Sequence, residues 1–236
     1  MKLTWLGQAG FLLESSAGTK IMIDPYLSDR LHELNGEDFV REVPILDEYL
    51  DMRPDALVLS HGHADHTDPA TLQRLLKDKE PFCVLAPLNT WREVRAAYGG
   101  GHNYIQFDRG IQWTLKDVTI KAVMAAHTDE YAIGIIIECD GMRLYHTGDT
   151  LYHRDIPSWL DGPIDTLILP INGQGCNMNA VDAWKLTKLL APKKVLPMHH
   201  DMFKKMGCNV EDFTSLFAGD DSTELLLPRH YSQIEI

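Results

Sequence analysis

The stretch "SHGHADHTDP", residues 60–69, gathers three histidines and two aspartates directly behind the apolar run "ALVLS" at 56–60. A buried strand that ends in such a cluster crowds titratable groups together, which is unfavourable unless something binds them. His61 and His63 lie two apart, so in extended backbone both side chains point to one face. A turn that curls back as a helix begins brings Asp65 and His66 to a neighbouring position. Two imidazoles are then offered to one metal ion, and a carboxylate with an imidazole to another. Imidazole suits zinc, iron and manganese, and the carboxylates widen the choice toward harder ions.

Three later segments supply further donors. "VMAAHTDE" at 123–130 puts His127 at the end of an alternating strand, and "YHTGDT" at 145–150 puts Asp149 on a sharp glycine turn. "VLPMHHD" at 195–201 ends another strand on His199 and His200. All are strand ends, where loops gather to build sites on a layered scaffold.

The elements around these residues repeat. "WLGQAGFLLE" at 5–14, a turn at "SSAGT" and "KIMIDP" at 20–25 match "AIGIIIE" at 132–138, a turn at "CDG" and "MRLYHTGDT" at 142–150. Each reads as an apolar strand ending in a glutamate (Glu14, Glu138), a glycine turn and a second strand leading to an aspartate (Asp24, Asp149). "PDALVLSH" at 54–61 is then echoed by "PIDTLILP" at 163–170, both short buried strands by their content of valine, isoleucine and leucine. A helix follows each echo. In "TDPATLQRLLKD" at 67–78, Thr67 or Asp68 is placed to cap, Pro69 suits the first turn, and Leu72, Leu75 and Leu76 share a face. In "MNAVDAWKLTKLLAP" at 178–192, Asn179 caps and Pro192 follows the end. The acidic segment at 28–52 predicts a surface loop with short helices that can serve as part of a lid. The whole chain, 1–236, reads as one α/β domain of two similar halves, two sheets sandwiched between helical layers.

Composition narrows the function. The chain has 236 residues, 44% hydrophobic and 24% charged, which is ordinary globular composition. A formal charge of −12 repels polyphosphate, so no nucleic-acid partner is expected. No apolar run reaches the ~18–20 residues of a bilayer span, so no membrane partner is expected either. The N-terminus lacks the apolar core of a signal peptide, and Cys83, Cys139, Cys176 and Cys208 form no CxxC pair, so a cytoplasmic location is expected. A small-molecule substrate is the expected partner, and self-association into a homo-oligomer is left open. No G-x-S-x-G elbow is present.

The HxHxDH motif met by His61, His63, Asp65 and His66, followed in order by His127, Asp149 and His199, resembles the metallo-β-lactamase-fold hydrolases. The resemblance spans nearly the whole chain and implies that family's four-layer αββα sandwich, in keeping with the internal repeat. "TWLGQAGFLLE", "PINGQGCNMNAVDA" and "PMHHDMF" resemble more narrowly the bacterial L-ascorbate-6-phosphate lactonase-like branch. Carried over by position, the resemblance implies two divalent ions, Zn²⁺ or Mn²⁺. His61, His63 and His127 would hold one, Asp65, His66 and His199 the other, with Asp149 bridging. It favours His199 over His200 as the ligand and leaves His200 to support the site or face the substrate. Asp65 is the catalytic candidate, as a ligand that also handles protons. The implied chemistry is attack of a metal-bound hydroxide on a carbonyl or phosphoryl centre. Gln8, Asn172, Gln174 and Asn177, with Gly7, fall in loops that this fold places around the site, as candidates for substrate hydrogen bonds. His146 reads as structural, and His32, His102, His153 and His230 have no ligand-like setting, although His153 follows the Asp149 turn closely enough to touch a substrate. The expected function is hydrolysis of a small ester or lactone, with a sugar-acid lactone such as L-ascorbate 6-phosphate foremost. Phosphodiester cleavage by the same metal pair and a non-catalytic sensing domain are the alternatives.

Overall fold

The computed structural model of the chain describes residues 1–77, 80–204 and 207–236. The first half opens with β1 (Lys2–Gly7), β2 (Gly10–Glu14) and β3 (Lys20–Ile23), an antiparallel meander. An excursion follows that carries α1 (Arg30–Asn35), a 3-10 turn at Glu37–Phe39 and α2 (Asp47–Asp51). Then β4 (Ala56–Val58), α3 (Pro69–Leu76), β5 (Cys83–Ala86), α4 (Leu88–Tyr98) and β6 (Asn103–Gln106) extend the sheet by parallel pairing. The second half has the same order. β7 (Gln112–Leu115), β8 (Val118–Met124), β9 (Ile133–Cys139) and β10 (Met142–His146) are antiparallel. After α5 (Ile156–Trp159), β11 (Thr166–Pro170), α6 (Ala180–Leu190) and β12 (Lys194–Met198) return to parallel pairing. The chain ends with α7 (Glu211–Thr214), β13 (Glu224–Leu225) and β14 (Gln233–Glu235).

Two seven-stranded sheets result, ordered β14-β1-β2-β3-β4-β5-β6 and β13-β12-β11-β10-β9-β8-β7. The alternation of side chains along each strand sorts the core into layers. Leu13, Ile21, Ile23 and Val58 face Ile120, Ile135, Ile137 and Leu196 between the sheets. Leu12, Met22 and Leu57, on the other face of the first sheet, pack on Leu50 of α2, Leu72, Leu75 and Leu76 of α3 and Val94 of α4. Ile136, Tyr145 and Leu167, on the other face of the second, pack on Ile156 of α5, Ala183 and Leu186 of α6 and Phe213 of α7. Each such valine, leucine, isoleucine, methionine or phenylalanine, once buried, contributes about 1.5–3 kcal/mol. This is the four-layer αββα sandwich expected from the sequence. Among the described residues, no helix is long and apolar enough to cross a membrane.

Both helices that follow the echoed strands form, with the expected caps. Asp68 accepts from the backbone N–H groups of Ala70 and Thr71, and Asn179 from that of Asp182. The first helix stops at Leu76, and Asp78, the end of the expected span, lies outside the described residues. One expectation is corrected. "WLGQAGFLLE" is not a single strand but a hairpin, β1 and β2, turning at Gln8–Ala9. Gly7 at φ 99° and Gln8 at φ 50° turn the chain, and a Cβ on Gly10 would stand 3.0 Å from the Gly7 carbonyl oxygen. An apolar run carries no mark of such a turn beyond its two glycines, and this turn delivers Gln8 to the site.

Candidate metal centre and active-site cleft

The ends of β4, β8, β10 and β12 meet at one edge of the sandwich. Their loops bring the expected ligands into two adjacent groups: His61, His63, His127 and Asp149, and Asp65, His66 and His199. Within each group the candidate ligand atoms lie within 4.8 Å of one another. His63 Nδ1 stands 2.9 Å from His61 Nε2 and 3.1 Å from His127 Nε2. The far nitrogens of those two rings fix what faces inward. His127 Nδ1 lies 3.3 Å from the Cys176 carbonyl oxygen, to which it donates. Ser60 Oγ donates to Asp24 and so receives a proton from His61 Nδ1 at 3.0 Å. Both Nε2 atoms therefore present lone pairs to His63 Nδ1, which has at most one proton to share. A cation satisfies all three, and donors around a tetrahedral zinc sit ~3.3 Å apart, close to the spacing seen.

The second group points the same way. His66 Nε2 and His199 Nε2 lie 3.2 and 2.9 Å from Asp149 Oδ1. All three atoms are buried, and none makes a hydrogen bond. Orphaned buried donors and acceptors aimed at one point suit a metal ion. Burial opposes charging His66, yet Asp149, Asp65 and Asp24 outweigh it and hold its pKa well above the usual histidine value. Burial and then the His66 charge push His61 well below it, and burial lowers His127. Burial works against ionised Asp149, but His199 and His66 keep its carboxyl well below the usual range.

The framework holding these groups is partly unforeseen. Asp24, fully buried at φ 39°, accepts from Ser60 N at 2.7 Å and from His66 Nδ1 at 2.8 Å, aiming His66 Nε2 inward. Its signal was present in the repeat, where Asp24 ends β3 as Asp149 follows β10. Asp149 leaves β10 through Gly148 at φ 61°, where a Cβ would sit 2.5 Å from the Ile133 carbonyl oxygen. His199 takes a left-handed φ of 62° at the end of β12.

The residues expected to bind substrate divide. Asn172 and Gln174 line a cleft of about 310 Å³ together with His63, Asp65, Asp149 and His199. Gln8 reaches the same cleft, but its Nε2 donates to Asp65 Oδ2 at 2.8 Å and sits 3.0 Å from His199 Nδ1. Asn177 is buried and donates to Asp149 Oδ2 at 2.9 Å, while its Oδ1 accepts from Thr150 N. Both side chains therefore position carboxylates and ring nitrogens. His200 is a correction. It is turned away from the cleft, bonded to Asp201 and the Pro197 carbonyl, with its ring 4.7 Å from that of Trp5. The left-handed backbone at His199, just past the end of β12, turns the chain so that only His199 enters the site. His153 stacks on Trp159 and does not line the cleft.

Leu31 and Phe39 from the excursion after β3, with Phe203, form an apolar wall of the cleft. Arg41 braces that wall by donating to the carbonyls of Val43 and Tyr26 at 2.6 and 2.7 Å, and Arg41 bridges to Phe203. The segment expected as a lid is thus tied down as a wall.

An αββα sandwich with a histidine- and aspartate-rich centre at its strand ends defines a metallo-β-lactamase-fold protein. The chain belongs to the β-lactamase superfamily, whose domain model matches residues 2–199. It is 30% identical to a UPF0173 metal-dependent hydrolase of Pyrococcus furiosus over 97% of each chain. It is also 30% identical to one from Staphylococcus carnosus, over 92% of each. Among solved structures it is similar to the metallo hydrolase Igni18 of Ignicoccus hospitalis, with TM-score 0.77 and 23% identity over 99% of this chain and 97% of that one. A possible metal-dependent hydrolase of Veillonella parvula superposes with TM-score 0.81 at 17% identity, over 100% and 99% of the two chains.

Proposed function

We propose that this metal-dependent hydrolase of the β-lactamase superfamily cleaves a small, uncharged ester or lactone. The observation that carries the reading is the convergence of Asp149 Oδ1, His66 Nε2 and His199 Nε2, all buried and without a hydrogen bond, beside the His61–His63–His127 trio, with Asp149, His199 and His63 reaching an open cleft. In this reading His61, His63 and His127 would hold one divalent ion and Asp65, His66 and His199 a second, with Asp149 serving either group, and Zn²⁺ or Mn²⁺ would suit the nitrogen and oxygen donors. When bound, such ions acidify water and polarise a carbonyl. The chain's own groups do the rest. Asp65 Oδ2, facing the cleft and held by Gln8, is placed to take up the proton released on attack and to return it to the leaving oxygen. Asn177 holds Asp149, and Asn172 and Gln174 offer amides to the substrate.

The lining favours an unphosphorylated substrate. Among the described residues it contains no lysine or arginine to pair with a phosphate, and one wall is apolar. An uncharged sugar-acid lactone, or an ester with an apolar group lying on Leu31, Phe39 and Phe203, fits better than L-ascorbate 6-phosphate. The test is a hydrolysis screen of lactones, esters, thioesters and phosphodiesters with the protein loaded separately with zinc and with manganese. Turnover of lactones or esters above all others is expected. Turnover of phosphodiesters alone overturns the substrate class, and no turnover with either metal overturns the hydrolase reading.

A further inference from the structure

Beside the active-site cleft lies a second pocket of about 280 Å³, and His63 and Thr128 line both. Its far side is the first two turns of α4, which contribute Asn89, Thr90 and Glu93, and its rim includes Asp129. We propose that this pocket is the part of the substrate site that receives a hydroxylated group. The proposal rests on the hydrolase reading above and names the second end of its substrate.

Thr90 is 1% exposed, and its hydroxyl has no hydrogen-bond partner in the fold. Buried hydroxyls are ordinarily paired, and this one sits in the pocket lining without a partner, so a ligand group that reaches it gains a hydrogen bond the fold does not supply. The passage from His63 to Thr90 is kept free by Gly62. A Cβ there would stand 3.5 Å from Thr90 Oγ1 and 3.7 Å from Asp129 Oδ2, filling the gap between them. Asp129 is fixed in place, accepting from Tyr131 N at 2.9 Å and Gly62 N at 3.3 Å.

The chemistry of this lining selects its guest. Two carboxylates, Glu93 and Asp129, repel a phosphate or a carboxylate. An apolar group would leave the Thr90 hydroxyl unpaired. A hydroxyl both donates and accepts, so it can accept from the unpartnered Thr90 hydroxyl while giving its proton to a carboxylate. With the apolar wall of Leu31, Phe39 and Phe203 in the first cleft, the substrate has an apolar end and a hydroxylated end, and the scissile bond lies between them over the ligand groups. Phe203 follows His199 by four residues and Ala64 packs in the same apolar cluster, which sets the apolar end beside Asp65 and His199 and the hydroxylated end beyond His63.

Calorimetric titration of the zinc-loaded protein tests this with two matched ligand series. One is short straight-chain carboxylic acids ending in methyl, the other the same acids ending in hydroxyl. At the best-fitting length, the hydroxyl-ended acid should bind about three- to tenfold more tightly than its methyl-ended partner. In Thr90→Val that preference should vanish with no fall in Tm, because the hydroxyl makes no bond in the folded chain. Equal affinities of the two series at every length, or a preference that survives in Thr90→Val, would overturn the proposal. A hydroxyl preference in binding, with no hydrolysis of the corresponding esters or lactones, would leave the pocket standing and sink the hydrolase reading instead.

Discussion

Asp65 and Asp68 stand three residues apart and do different work. Asp65 faces the cleft in the second ligand group, whereas Asp68 is fully buried at the start of α3. Asp65→Asn keeps the side-chain size and removes the charge, so hydrolysis should fall about 10²-fold or more while circular dichroism stays native. Asp68→Asn is a less innocent control than its capping position suggests. Oδ1 accepts from Ala70 N, and Oδ2 accepts from both Thr71 N and the Thr71 hydroxyl. An asparagine NH₂ must face one of those donors, at a cost of about 1–2 kcal/mol. Turnover at wild-type level with a lowered Tm is therefore expected for Asp68→Asn, and equal loss of activity in both variants would refute the division. His146 gives a pH signature. It is buried, donates through Nε2 to the Ala9 carbonyl and accepts from Gly148 N, and burial pushes its pKa down to about 4. With a folded value below the unfolded one of about 6.5, its contribution is intact above pH ~6.5 and is lost as pH falls through about 4, roughly 3 kcal/mol in all. Urea denaturation of chelator-treated protein across that range should show the loss. His146→Gln should flatten the slope by about one proton, and an unchanged slope would count against the assignment.

At the scale of elements, the site depends on turns that only particular residues can make. Gly148 combines a left-handed φ with a Cβ position 2.5 Å from the Ile133 carbonyl oxygen. Gly148→Ala must displace the β9 backbone or Asp149, and a cost of roughly 2 kcal/mol or more is expected. Elemental analysis should show reduced metal content in that variant, since Asp149 belongs to one ligand group and touches the other. Full metal content at wild-type Tm would mean that the turn tolerates a side chain. The caps of α3 and α6 were legible because Asp68–Pro69 and Asn179 are chemical signals within a few residues of the helix they start. The β1–β2 turn was not, because leucine and phenylalanine on both sides of Gln8 hide the reversal in one apolar run.

At the scale of the molecule, the ligands come from both sheets. His61 and His63 follow β4 of the first sheet, and His127 and Asp149 follow β8 and β10 of the second. An ion bound by them would tie the halves together, and without it Asp149, Asp65 and Asp24 crowd together with only His66 and His199 to offset them. Chelation should therefore lower the Tm reversibly, with recovery on adding zinc or manganese, as scanning calorimetry would show. An identical Tm with and without chelator would indicate that the groups hold no ion. The two halves also lend each other their edges. β7 precedes β8 and pairs with it, but the counterpart that pairs with β1 is β14, from the other end of the chain. Lys2–Thr4 and Gln233–Glu235 thus meet across almost the full length of the sequence.

The sequence by itself determined the strand-then-helix unit that closes each half and, through the resemblance its HxHxDH run carries, the αββα class and the seven candidate ligands. Periodicity, capping and ligand spacing are local properties, and the HxHxDH run states its geometry within six positions. The tertiary structure decided what depends on residues distant in the chain. It gave Gln8 and Asn177, which line the cleft, the further work of supporting Asp65 and Asp149, sent His200 behind Trp5 and recruited Asp24 to aim His66. It also built the cleft wall from residues 31, 39 and 203. Which face a loop side chain takes, and which carboxylate its amide meets, is set by packing between sheets rather than by neighbours in sequence. A hydrogen bond from residue 8 to residue 65 therefore becomes visible only when β1 and β4 lie in the same sheet.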